Sequence, residues 1–134
     1  MERSGEIARQ GAAFLTLLAL SLAAAYFLQV SIVAKGRFAF GVEDIVACES
    51  GLLFALVGGL ISRRYGFAVV VGVTYAAFWA LAIYHLNTST GGGWVLEILS
   101  VNAVNIAASV LAGIAGACLG VFLRNRKRAG PRVA

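Results

Sequence analysis

The sequence predicts an all-α, polytopic membrane protein: a compact four-transmembrane-helix bundle, one membrane domain over residues 1–134, with both termini cytoplasmic. Three observations carry this expectation. The chain is 60% hydrophobic and 13% charged, with a mean hydropathy of +0.88, whereas soluble domains carry about 25% charged residues. Its apolar residues fall into four runs, each long enough to cross roughly 30 Å of hydrocarbon. Its basic residues fall on one side of those runs. So little polar sequence cannot clothe a water-soluble core of this size.

The first run, residues 11–33, carries no charge until Lys35. Reading it as a secretory signal cut after Ala23-Ala24-Ala25 is disfavoured, because Glu2 and Glu6 dilute the basic flank and the hydrophobicity continues past the site. A turn-prone connector with Gly36 and Gly41 leads to the second helix, residues 45–62. The four-residue link 63–66 then enforces an antiparallel partner, the third helix, residues 67–86. Asn87 to Gly93 is the one stretch with flexible-loop composition. Its Asn-Thr-Ser acceptor pattern lies too close to the apolar run to weigh as a glycosylation site. The last run is too long for one perpendicular crossing. Trp94 to Leu99 reads as an interfacial turn or helix start, residues 101–123 as the fourth span and residues 124–134 as a basic cytoplasmic tail, disordered beyond Gly130.

Orientation follows from counting cations. With the N-terminus inside, nine Lys and Arg lie on cytoplasmic segments, and only Lys35 and Arg37 lie outside, offset by Glu43 and Asp44. The net charge of +5 is thereby explained by topology and gives no indication of nucleic acid.

Small residues line every span, as close backbone approach in lipid requires. On the fourth helix Asn102, Asn105, Ser109, Gly113, Gly116 and Gly120 share a sector of about 80°, and Gly116 and Gly120 make a GxxxG step. They predict an interhelical seam, with the alternative that the Asn and Ser residues line a polar cavity. On the second helix Gly51, Ala55, Gly58 and Ser62 form a packing side. Glu49 heads a leucine side with Leu53, Leu56 and Leu60, about 180–240° away. An ionised carboxylate facing lipid there costs a few kcal/mol, so Glu49 is expected to reach water, a partner within the bundle or a partner protein.

Ionisable and amide side chains concentrate in the outer third or at the outer boundary: Gln29, Glu43, Asp44, Glu49, His85, Glu97, Asn102 and Asn105. A through-channel needs polar groups at the midplane and beyond, so this asymmetry suits an outward vestibule or partner surface better. His85 is the only histidine. One imidazole with dispersed carboxylates is a weak metal signature; no metal, cofactor or catalytic constellation is expected. Cys48 and Cys118 form no CxxC pair and read as packing residues.

The expected function is that of a non-enzymatic accessory or assembly subunit of an oligomer or larger membrane complex. Its partners are then membrane lipid and either further copies of itself or another membrane protein. The alternative is a small oligomeric transporter or channel for a cation, proton or other small solute, using Glu49, His85, Asn102 and Asn105.

Overall fold

Hydropathy places the helices, and the packing of small residues decides which of them touch. The computed structural model describes residues 2–29 and 32–128. Among these there are four long helices and no strand: α1 (Glu2–Ala23), α2 (Val42–Ser62), α3 (Phe67–Ser89) and α4 (Val95–Arg128). All four are long and apolar enough to cross a membrane. They alternate in direction, so the start of α1, the α2–α3 link and the end of α4 share one end of the bundle, here the termini end. Segment 32–41 and the α3–α4 turn share the other, the connector end.

Several boundaries differ from those the sequence predicts. α1 begins at Glu2, because Glu, Arg and Gln propagate a helix as well as apolar residues do. Its early turns are also tied down: Arg64 forms an ion pair of 2.6 Å with Glu6, and the Ser62 hydroxyl donates to Gln10 Oε1 at 2.9 Å. α1 ends before the predicted Val33. A π-helical turn, Ala24–Leu28, follows it, and Gln29 closes that turn in the left-handed region at φ 56°. α3 runs on to Ser89, and the expected flexible loop is a tight turn. Gly91, Gly92 and Gly93 all have positive φ, and the Asn87 side chain accepts the Trp94 N–H at 2.9 Å.

α4 is one helix of 34 residues. Of the two expectations for Trp94 to Leu99, a turn or a helix start, the structure has the helix start: α4 is continuous from Val95, and the basic segment is helical to Arg128. At 1.5 Å per residue α4 is about 51 Å long, well beyond the roughly 30 Å of a hydrocarbon core. Residues 129–134 of the predicted tail lie outside the described residues.

α2 and α4 form the centre of the bundle; α1 packs mainly on α2, and α3 mainly on α4. The tight α2–α3 link joins antiparallel neighbours, yet α2 makes its extensive contact with α4, to which it is parallel. The reason is backbone proximity. A Cβ added at Gly116 or Gly120 would run into the carbonyl of Leu52 or Leu56, and one at Gly59 into the carbonyl of Ala117. Side-chain-free positions on both helices thus bring the backbones together. All six members of the predicted α4 stripe are buried.

The predicted packing side of α2 is also used, but toward α1 and α3. Gly58 lies against Phe67 and the Ala13 carbonyl, and Gly51 against the Tyr75 ring. Ala55 is fully buried. The α4 contact falls between this side and the leucine side, so Leu56 and Leu60 are half-buried while Leu53 remains exposed. Phe67, Val71, Tyr75, Leu17 and Ala117 form the larger apolar cluster, and Trp79, Ile83, Ile98 and Ala34 a second one near the connector end.

Candidate functional site

The polar residues of the connector end converge on segment 32–41. Asn102 is fully buried. Its Oδ1 accepts the Lys35 N–H at 2.9 Å, and its Nδ2 donates to the carbonyls of Lys35 at 2.8 Å and Ile98 at 2.7 Å. The side chain thus pairs with one residue of the connector as a neighbouring peptide group would, satisfying both its N–H and its C=O. Backbone groups outside a helix have no ladder partner, and leaving them unpaired when buried costs about 1–3 kcal/mol each.

Asp44 is a second hub. It is the third residue after Gly41, and its carboxylate accepts the Gly41 N–H at 2.8 Å, as an acidic residue in the first turn of a helix does. The same oxygen, Oδ2, accepts Lys35 Nζ at 2.6 Å, and Oδ1 accepts Asn105 Nδ2 at 3.3 Å. Lys35, Asp44, Asn102 and Asn105 therefore form one clamp joining segment 32–41 to the starts of α2 and α4. The Asn102 amide is engaged by the connector and by its own helix, whereas Asn105 reaches across to Asp44 of α2, with the Ala39 carbonyl at 3.5 Å, and borders a cavity. Lys35 and Asp44 were legible only as a topology cation and an outer carboxylate. The signal for Asp44 as a cap was its spacing from Gly41.

Deeper in the bundle, Trp79 Nε1 donates to the Ser109 hydroxyl at 2.6 Å, which itself donates to the Ile106 carbonyl at 3.1 Å. Tyr75 donates to the Gly51 carbonyl at 2.7 Å, its ring held between Gly51 of α2 and Gly113 of α4.

Two cavities lie side by side at this end, one of them bordered by the clamp. That one, of about 350 Å³, is lined by the polar Gln29, Lys35, Glu43, Asp44 and Asn105 together with apolar side chains such as Val42, Val46 and Trp79. The other, of about 380 Å³, is mostly apolar and is lined by Leu22, Phe54, Tyr75, Phe78 and Leu81 among others. Ile32, Ala47 and Ser109 line both.

Glu49 stands apart from this assembly. It is exposed on α2, lines neither cavity and makes no hydrogen bond or ion pair among the described residues. Leu53 and Val57 continue its exposed stripe along the helix. His85 is exposed near the end of α3, and it joins neither Glu49 nor the clamp. Among the described residues no three of His, Cys, Asp and Glu come together in a way that holds a metal ion.

No family model, curated protein or solved structure matches the chain. Function is therefore argued from this geometry alone.

Proposed function

We propose that this chain is a non-enzymatic accessory or assembly subunit, embedded in the cell membrane with both termini cytoplasmic, that docks on a transmembrane helix of a larger complex. The observation that carries the reading is Glu49 on the exposed Leu53–Val57 stripe. The small-residue positions of α2 and α4 are consumed internally, between these two helices and around Tyr75 and Phe67, and the Glu49 stripe of α2 remains as a charged docking face. It calls for an occupant with a cation or hydrogen-bond donor at the depth of Glu49, about 10 Å along α2 from Val42. Another protein fits better than a second copy. Lys35 is already held by Asp44, and Arg37 lies in the connector beyond the end of α2 rather than at that depth. The nine-to-two distribution of cations supports the orientation.

The transport alternative receives less support. Asn102 is occupied by the connector and Asn105 by Asp44 of α2, and Glu49 opens onto neither cavity.

The test is gentle solubilisation from the native membrane, with the detergent-corrected mass measured and a photocrosslinker placed at Leu53. The expected result is a heteromeric mass and one crosslinked membrane protein, both lost in Glu49→Leu with the helical content unchanged. A monomer with no co-purifying protein overturns the reading. A homo-oligomer joined through Leu53 overturns the choice of partner.

A further inference from the structure

The two cavities share a wall and are both mostly apolar, but one of them, the more polar, carries ionisable groups, Lys35, Glu43 and Asp44. The polar one lies beside the clamp, at the level where the helices end. The apolar one continues from it toward the middle of the bundle as far as Phe54, about 18 Å along α2 from Val42. That is roughly half of a 30 Å hydrocarbon core, the reach of one leaflet. The apolar cavity lies between α1 and α3, which barely touch each other. Leu22 and Leu81, exposed on these two helices, border it. The opening is therefore lateral, toward the lipid-facing side, and not along the bundle axis. α1 is also irregular here: Ala25, in its π-helical turn, lines the apolar cavity, and Gln29, which closes that turn, lines the polar one. Single π-helical turns interrupt helices at functional sites more often than elsewhere.

The polar lining specifies a head group. It holds one cation, Lys35, against two carboxylates, Glu43 and Asp44, an excess of one negative charge. Lys35 is already neutralised by Asp44 at 2.6 Å, whereas Glu43 is exposed and makes no ion pair among the described residues. An anionic head group would meet uncompensated carboxylate there. An ammonium with N–H donors finds a charge partner.

From this juxtaposition we infer that the joined cavities bind one aminophospholipid, with one chain lying between α1 and α3 and the ammonium of its head group on Glu43 at the connector end. The site is independent of the partner proposed for Glu49, which lines neither cavity.

The experiment is native mass spectrometry of the full chain in mild detergent, titrated separately with the palmitoyl-oleoyl forms of phosphatidylethanolamine, phosphatidylcholine and phosphatidylglycerol. The expected result is a one-to-one adduct with phosphatidylethanolamine, retained about tenfold better than with phosphatidylglycerol. Glu43→Gln keeps the adduct and loses most of that preference. Ala47→Phe, which fills the shared wall, loses the adduct with every lipid. Should Ala47→Phe fail to fold by circular dichroism, Ala82→Phe on the α3 wall of the apolar cavity serves in its place. Equal retention of the three lipids by the unmodified chain, or a preference unchanged in Glu43→Gln, overturns the head-group assignment. An adduct that survives filling of the cavity overturns the site.

Discussion

Asn102 does the work of a strand neighbour from a helix. Its amide supplies one acceptor and two donor bonds, two of the three to a residue 67 positions earlier. Asn102→Leu removes that pairing and leaves the Lys35 N–H and C=O without it, so we expect a loss of about 2–4 kcal/mol, read as a lowered thermal midpoint by circular dichroism in detergent. An unchanged midpoint contradicts the clamp. Asn102→Asp retains the acceptor but sets a carboxylate oxygen against the Lys35 and Ile98 carbonyls in a buried place, so it is expected to lose at least as much as Asn102→Leu. Sequence periodicity located the Asn stripe, because burial and helical spacing coincide. It did not identify what the amides bind, because the partner is irregular backbone, and backbone carries no residue-type signal. Glu49 is the converse case. Its isolation from the small-residue side was legible from 100° increments, and it is exposed as that angular count implies.

Among the helices, glycines of one composition have opposite roles, and only the neighbours distinguish them. Gly116 and Gly120 admit the carbonyls of Leu52 and Leu56, whereas a Cβ at Gly11 meets nothing within 4 Å. Gly116→Val or Gly120→Val is expected to push α4 from α2 and destabilise by about 1–3 kcal/mol or more. Gly11→Ala, inside α1, is expected to stabilise by roughly 0.5–1 kcal/mol. Thermal unfolding of the three variants checks both signs together, and destabilisation by Gly11→Ala comparable to the others would remove the distinction. The small-residue stripes were legible in the sequence, but a stripe does not name its partner. The short α2–α3 link predicts an antiparallel hairpin, and these helices are antiparallel, but it does not indicate that sequence-distant α2 and α4 make the most extensive contact, where their backbones come closest. Helix ends were the least legible feature. Hydropathy reports the apolar interval, and α1 and α4 both continue as helix through polar residues.

At the scale of the whole molecule, α1 is the least integrated helix. It rests mainly on α2 and scarcely on α3. At the termini end it is held by the Glu6–Arg64 ion pair, whose side chains are 30% and 63% exposed. An exposed pair of this kind contributes about 0–1 kcal/mol, so Glu6→Gln is expected to shift the thermal midpoint only slightly. Hydrogen exchange is expected to release α1 amides before those of α2 and α4. Protection of α1 equal to that of α4 would show the bundle to be more uniform than its contacts imply. The four long apolar helices were legible from hydropathy, and the antiparallel α2–α3 pair from the short link between them. The cavity between α1 and α3 was not, because a void is a property of how helices are spaced and not of any residue's polarity.

The clamp also bears on biogenesis. Lys35 and Asp44 are made early, whereas Asn102 and Asn105, which bind them, follow 67 and 61 residues later. The first pair of helices leaves the ribosome with its connecting segment lacking these amide partners, and it acquires them only when the fourth helix takes its place. The fourth helix is thus the one that locks the first two, and a nascent chain stopped before residue 95 has no means of completing that lock.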